Sequence, residues 1–181
     1  MILLASIPLG VVLGLLLGGR LNNLSGLQFA WAPIAIVGLL VQVGLFTESG
    51  SRLAGGLSHA IYVASTAAVF VAVVRNIRTP GMPIVALGAL ANLVAITANH
   101  GAMPTTPEAL AAAGLDASGY TNSVVVANPV WQPLTDIFAI PGGVPLANVF
   151  SVGDVLIGLG IVLVIAAAMR REPVTPAGAT A

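Results

Sequence analysis

The sequence predicts an all-α integral membrane protein with a bundle of five transmembrane helices, and three observations support this prediction. Of the 181 residues, 57% are hydrophobic and only 7% are charged, whereas soluble domains usually carry about 25% charged residues. The mean hydropathy is +1.03. The apolar residues are gathered into five long stretches. Because a water-soluble surface cannot be built from so few charges, the lipid bilayer is the first predicted partner, and the predicted location is the cell membrane.

Each apolar stretch approaches the roughly 20 residues that a helix needs to cross the hydrocarbon core. The first begins without a preceding positive charge, so we expect a retained helix rather than a cleaved secretory signal. Small residues in Leu13-Gly14 through Gly18-Gly19 of the first stretch and in Gly158-Leu159-Gly160 of the last favour close helix packing. We expect one transmembrane domain over residues 1–172 and a short disordered tail over 173–181. The stretches cover approximately residues 2–19, 27–46, 57–74, 82–98 and 152–169.

The arginines predict the orientation of the chain, because short cytoplasmic loops accumulate Lys and Arg. The ends of successive stretches fall on alternate sides of the membrane, and Arg52 is the only arginine on one of these two sides. The N-terminus is therefore predicted outside, the C-terminus in the cytoplasm, and the multi-pass chain exposes the segment 99–151 to the exterior. The arginines at the opposite set of ends are Arg20, Arg75, Arg78, Arg170 and Arg171.

The segment 99–151, between the fourth and fifth stretches, is too long for an ordinary connection. Thr106 and Pro107 favour the start of a short helix, and Gly114 its end. Apolar residues and prolines follow. We expect a structured loop that lies at the membrane interface or re-enters the bundle, where irregular backbone must be covered by protein or water.

Composition excludes several classes of function. Six basic and six acidic residues give no net charge, so no basic surface is available for nucleic acid. The chain has no cysteine, which excludes disulfides, thiolate metal sites and a thiol nucleophile. No close triplet of His, Asp and Glu suggests a metal site, and we predict no metal and no cofactor.

Polar side chains in or beside transmembrane helices are costly and mark candidate sites. Asp136 and Asp154 are the candidate catalytic pair, because two neighbouring carboxyl groups cannot both ionise and one remains an acid beside a base. The alternative is that they are separate caps, since Ser151 to Asp154 fits a capping box. Asn92 and Gln42 are typical of hydrogen bonds between helices. Asn99, His100, Asp136, Asp154 and His59 all fall at the predicted exterior end, where we expect convergence.

The whole chain resembles a bacterial family of small uncharacterised membrane proteins, a domain of unknown function. The resemblance lies in Asn99 to Pro104, which reads Asn-His-Gly-Ala-Met-Pro, in Asp136-Ile137-Phe138 with the following Pro141, and in Phe150 to Ile157. This resemblance implies no activity.

The last fifty residues are also similar to the end of lipoprotein signal peptidase, a four-helix aspartic peptidase. Phe150 to Asp154 align with its Phe-Asn-X-Ala-Asp motif, and Asp136 falls where its other catalytic aspartate is expected. Gly88 to Leu93, including Asn92, resemble its Gly-Ala-Leu-Gly-Asn-Leu helix. The sequence departs from that family at Ser151, in lacking Asp-Arg after Leu93, and in its longer loop.

Two classes of function follow. In the first, the chain is an intramembrane peptidase at the outer face, with Asp136 and Asp154 catalytic and Asn92, Asn99, His100 and Ser151 shaping the site around a peptide or lipid substrate. In the second, it is a non-enzymatic module that binds a lipid or small ligand or serves as a subunit of a membrane assembly. The sequence predicts no oligomeric state.

Overall fold

The part of the chain that the structure describes contains seven α-helices, three short 3₁₀ helices and four short strands. The computed structural model describes residues 2–116 and 123–171, so the tail predicted at 173–181 lies outside the described residues. The helices are α1 (Ile2–Leu16), α2 (Ala32–Leu45), α3 (Glu48–Ala54), α4 (Ser58–Arg75), α5 (Met82–Ala98), α6 (Pro107–Ala113) and α7 (Val152–Arg170). The strands are β1 (Met103–Thr105), β2 (Ser123–Val125), β3 (Phe138–Ile140) and β4 (Asn148–Phe150).

Two helical segments in the described chain are long and apolar enough to cross a membrane. One is Glu48–Arg75, in which a 3₁₀ turn at Gly55–Leu57 joins α3 to α4, and the other is α7. Helices α1, α2 and α5 are also apolar but shorter. Each of the five predicted apolar stretches therefore forms a helix, and the bounds of α5 agree with its predicted range.

Helices α1 and α2 are shorter than the apolar stretches that predicted them. Gly18 adopts a φ of +78° just after α1 and turns the chain away from the helix. Trp31 has left-handed backbone before α2, and Pro33 lies in the first turn of that helix. Between them, Nδ2 of Asn23 donates a hydrogen bond of 2.8 Å to the carbonyl oxygen of Met169. The connection therefore covers the C-terminal end of α7.

The apolar helices pack in the order α1, α7, α5, α4 and α2. Glycines allow the two crossings of α7. Gly14 of α1 lies against Met169, and Gly160 of α7 lies against Val85 of α5, so that a Cβ atom on either glycine would overlap its neighbour. This agrees with the predicted role of these glycines, since small residues let helix backbones approach closely.

The all-helical prediction needs correction in the segment between α5 and α7, which contains two small sheets. β1 pairs in parallel with β2, and β3 pairs antiparallel with β4. Thr105 of β1 also bridges to Asp136. Three-residue strands are too short to show the alternation of apolar and polar residues that identifies a strand in sequence. The paired backbone satisfies groups that would otherwise lack partners away from water.

The short helix predicted in this segment is confirmed as α6. The hydroxyl of Thr106 accepts a hydrogen bond of 3.1 Å from the N–H of Ala109, and Gly114 ends the helix with a φ of +65°. Ala109 and Leu110 pack against Val149 of β4. The loop therefore has a small core of its own, which explains how so long a connection is structured.

Candidate active site

The strands of the loop hold Asp136 in a buried position, with 2% of its surface exposed. Its N–H donates to the carbonyl oxygen of Pro104 at 2.9 Å, and its own carbonyl oxygen accepts from the Thr105 hydroxyl at 2.7 Å. In the side chain, Oδ2 accepts a hydrogen bond of 2.6 Å from the Ser123 hydroxyl. Oδ1 has no hydrogen-bond partner among the described residues. A buried, unpartnered carboxyl oxygen is rare and calls for a functional explanation.

Asp154 lies in the first turn of α7 and forms the predicted capping box with Ser151. Its Oδ2 accepts from the N–H of Ser151 at 3.0 Å, and its N–H donates to the Ser151 hydroxyl at 3.0 Å. Its Oδ1 accepts from Nδ2 of Asn92 on α5 at 2.9 Å. The Ser151 hydroxyl in turn donates to Oδ1 of Asn92 at 2.9 Å. These three residues form a closed ring, in which Asp154 and Ser151 are joined through backbone N–H groups, and the ring fixes the Asp154 carboxyl group against α5.

Two glycines bring α5 and α7 close enough for this ring to form. A Cβ atom on Gly153 would overlap Oδ1 of Asn92, and a Cβ atom on Gly88 would overlap the carbonyl oxygen of Gly153. The absence of side chains at both positions therefore sets the distance between the helices. The Gly88 to Leu93 motif thus contributes both a contact surface and the amide that binds Asp154.

Asp136 and Asp154 line one cavity of about 440 Å³, here called the aspartate cavity. This volume lies within the range of about 300 to 1,000 Å³ that is typical of small-molecule sites. On another side of the cavity, Nε2 of Gln42 donates a hydrogen bond of 3.3 Å to the Thr66 hydroxyl, joining α2 to α4 as the sequence predicted for Gln42. The other polar residues that line it are Tyr62, Asn92 and Asn148.

The two carboxyl groups differ in their surroundings. Burial raises the pKa of Asp136 from its ordinary value of 3.8 to about 7. The hydrogen bond from Ser123 opposes this rise in pKa, and the negative charge of Asp154 adds to it. Asp136 can therefore carry a proton near neutral pH, beside a second carboxyl group whose two oxygens accept hydrogen bonds from N–H donors.

Three residues expected to converge at the site, Asn99, His100 and His59, lie outside the aspartate cavity. Asn99 is buried and binds the backbone of Val130, with Nδ2 donating to the carbonyl oxygen at 2.9 Å and Oδ1 accepting from the N–H at 2.8 Å. It fixes the loop to the end of α5. His100 is exposed and lines a separate cavity of about 420 Å³ together with His59. The structure therefore brings together the two aspartates with Asn92 and Ser151, and places Asn99 and the histidines elsewhere.

Three residues of the site were not identified from sequence. Ser123 carries no recognisable spacing relative to Asp136, because an irregular loop brings them together. Thr66 and Tyr62 lie one turn apart on α4, where the Thr66 hydroxyl donates to the Tyr62 carbonyl oxygen at 2.8 Å. Their position inside an apolar stretch was an available signal, since polar groups in such helices are costly.

No group of three metal-ligating side chains is found among residues 2–116 and 123–171. The chemistry that the arrangement offers is that of two carboxyl groups, one able to donate a proton and the other able to accept one. Such a pair can activate water without a metal.

Comparison with known proteins yields a family but no activity. No curated protein and no solved structure matches the chain. A family model matches residues 26–166. This range includes both aspartates, Asn92 and Ser151. The chain belongs to DUF5317, a family of unknown function.

Proposed function

We propose that the protein crosses the membrane several times and that the aspartate cavity opens toward the exterior. Five apolar helices support this placement, together with many exposed leucines and valines on α1 and α2. Asp154 lies in the first turn of α7, whereas Arg170 lies in its last turn. Because arginines favour the cytoplasmic side, the carboxyl end of the cavity is proposed to face outward.

Single cysteines test this topology, since the natural chain has none. Glu108→Cys places a thiol on α6 in the loop, and Arg78→Cys places one between α4 and α5. A membrane-impermeant maleimide is expected to label the first variant in intact cells and the second only after permeabilisation. Labelling of both variants in intact cells, or of Arg78→Cys alone, would contradict the proposed orientation.

We propose further that Asp136 and Asp154 are catalytic residues of a hydrolase that cleaves peptide bonds at the outer face of the membrane. The observation that carries this proposal is that carboxyl groups from the loop and from α7 line one cavity, with Oδ1 of Asp136 buried and without a hydrogen-bond partner among the described residues. The resemblance of Gly88 to Leu93 and of Phe150 to Asp154 to an aspartic peptidase points to the same chemistry.

In the proposed reaction, the Asp154 carboxylate takes a proton from water while the water oxygen attacks the peptide carbonyl carbon. Each Asp154 oxygen accepts one hydrogen bond in the ring with Ser151 and Asn92, which leaves a second lone pair free. Asp136 donates its proton to the carbonyl oxygen. The proton on Asp154 then passes to the amide nitrogen as the C–N bond breaks, and Asp136 recovers its proton as the tetrahedral diol becomes a carboxylic acid.

The test compares Asp136→Asn and Asp154→Asn with Glu108→Gln, an exposed acid on α6. Each variant is expressed in a strain that lacks the natural gene, its membrane abundance is checked, and cleavage of membrane-anchored peptides and the deletion phenotype are measured. We expect both aspartate variants to lose cleavage and fail to complement, with about 10²-fold or greater loss for an acid or base, while Glu108→Gln behaves as the natural protein. Full activity of either aspartate variant would eliminate the paired mechanism.

A non-enzymatic binding module is the second candidate, favoured by the capping role of Asp154. Both of its oxygens are engaged in structure, by Ser151 and Asn92, so its carboxyl group has a sufficient structural reason to be present. In this case Asp154→Asn would lower stability without a separate effect on activity, and no peptide would be cleaved by the natural protein.

A further inference from the structure

The aspartate cavity has a polar interior and an apolar, exposed rim. Asp136 in the interior is 2% exposed, whereas Leu3 of α1, and Leu39 and Val43 of α2, are 37%, 49% and 68% exposed. All four residues line the same cavity. A cavity wall of exposed leucine and valine cannot be the closed core of the bundle, so the cavity opens past these side chains.

The opening lies between α1 and α2. In the row of packed helices, α1 rests on α7 and α2 rests on α4, and within the described chain α1 and α2 are not among the closely packed helix pairs. Residues of both helices, Leu3 of α1 and Leu39 and Val43 of α2, line the cavity. If the protein is placed in the membrane as proposed, this gap faces the acyl chains rather than water, because both helices are predominantly apolar.

The lining of the cavity favours a positively charged group. Two carboxyl groups face it, and Oδ1 of Asp136 has no partner among the described residues. None of the described lining residues is Lys, Arg or His, so no described lining side chain could neutralise a phosphate or carboxylate headgroup buried beside the two aspartates. Aromatic faces attract ammonium groups, and a carboxylate attracts them further. The aromatic residues that line the cavity are Phe46, Tyr62 and Phe150.

We propose that the aspartate cavity binds a cationic amphiphile, an ammonium group carrying a single long apolar chain, which enters from the bilayer between α1 and α2. The ammonium group contacts Asp136 and Asp154, and the chain lies against Leu39 and Val43 in the gap. The proposal rests on the proposed membrane placement and names the class of ligand that the cavity selects.

The test uses the full chain purified in neutral dodecyl maltoside micelles and two photoreactive probes. One is hexadecyltrimethylammonium with a diazirine in its chain, and the other is hexadecyl sulfate with the same modified chain. We expect saturable labelling of α1 and α2 peptides by the ammonium probe, about tenfold above the sulfate probe, which corresponds to about 1.4 kcal/mol. Asp136→Asn and Asp154→Asn are each expected to reduce this labelling severalfold.

A matched pair of variants tests the route into the cavity. Leu39→Trp fills the opening, whereas Leu40→Trp changes a neighbouring residue that is 63% exposed and does not line the cavity. Val43→Trp is a second way to fill the opening, at a position exposed enough to accept a large side chain. We expect Leu39→Trp and Val43→Trp to abolish saturable labelling and Leu40→Trp to leave it unchanged, with thermal unfolding confirming that all three are folded.

Equal labelling by the two probes would overturn the proposal, and so would labelling that Leu39→Trp and Val43→Trp leave intact. The readout does not require catalysis, so the two proposals can fail separately. Selective labelling of a protein that cleaves no peptide would support the ligand class and reject the hydrolase. Peptide cleavage that persists when the opening is filled would reject the route while leaving the aspartate chemistry in place.

Discussion

Replacement of Asp136 by asparagine should change how the stability of the protein depends on pH. Folding raises the pKa of Asp136 from 3.8 to about 7, mainly through burial, so the folded protein holds this proton more tightly than the unfolded chain. The free energy of unfolding must then fall as pH rises from about 4 to about 7 and become level above that range. At about 1.4 kcal/mol for each pKa unit, the loss amounts to about 4 kcal/mol.

Asparagine cannot ionise, so the free energy of unfolding of Asp136→Asn should not fall in this way as pH rises. Its amide oxygen can still accept the hydrogen bond from Ser123, and its amide nitrogen replaces the unpartnered Oδ1. We therefore expect Asp136→Asn to be insensitive to pH between 5 and 8.5 and to melt higher than the natural protein at pH 8, by roughly 10 °C for about 4 kcal/mol in a chain of this size. The natural protein should melt lower at pH 8 than at pH 5.

The assay is thermal unfolding in detergent micelles, followed by the fluorescence of Trp31 and Trp131 across this pH range. Glu108→Gln is the control, because Glu108 is exposed on α6, and it should show the pH dependence of the natural protein. Infrared absorption gives an independent reading, since a protonated carboxyl group present at pH 6 should disappear in Asp136→Asn. If the natural protein and Asp136→Asn show the same dependence of melting temperature on pH, the assignment of a raised pKa to Asp136 is wrong.

Three further substitutions test contacts between separate segments of the chain, each by thermal unfolding in the same micelles. Asn92→Ala removes both hydrogen bonds from α5 to the α7 capping box and should cost about 2–4 kcal/mol, since one bond is to a carboxylate. Gly153→Ala places a methyl group on Oδ1 of Asn92 and should cost about 1–3 kcal/mol. Asn76→Ala removes two bonds of 2.8 Å to the backbone of Ala30 and should cost about 2 kcal/mol.

Each of these substitutions has an outcome that would count against the contact invoked. Thr97→Val alters a side chain that, among the described residues, bonds only within its own helix, to the carbonyl oxygens of Leu93 and Val94. An effect as large as that of Asn92→Ala would show that α5 is sensitive to any substitution. Gly56→Ala introduces a methyl group with no atom within 4 Å, and it should be nearly neutral. For Asn76→Ala, an unchanged melting temperature would mean that the hydrogen bonds from Asn76 to the backbone of Ala30 do not stabilise the fold.

Only some of the polar residues of the candidate site were predicted from sequence, and little of its geometry. Asp136, Asp154 and Asn92 were identified because polar groups beside apolar stretches are costly enough to need a reason. The two interpretations of Asp154, cap or site residue, turned out to be compatible, since one oxygen serves the capping box and the other binds Asn92. His100 was grouped with them because it lies just after α5, at the predicted exterior end of the bundle. Residues at one end of a helix can face different directions, and His100 lines a separate cavity.

The sequence by itself determined the features that depend on neighbouring residues. Hydropathy determined where the apolar helices form, and local caps determined α6 and the start of α7, because a side chain at the first position bonds backbone three residues later. Only the tertiary structure decided the site. The bond from Ser123 to Asp136 spans 13 residues and that from Asn92 to Asp154 spans 62. The pKa of Asp136 depends on how deeply those distant segments bury it, and no local pattern in the sequence encodes that depth.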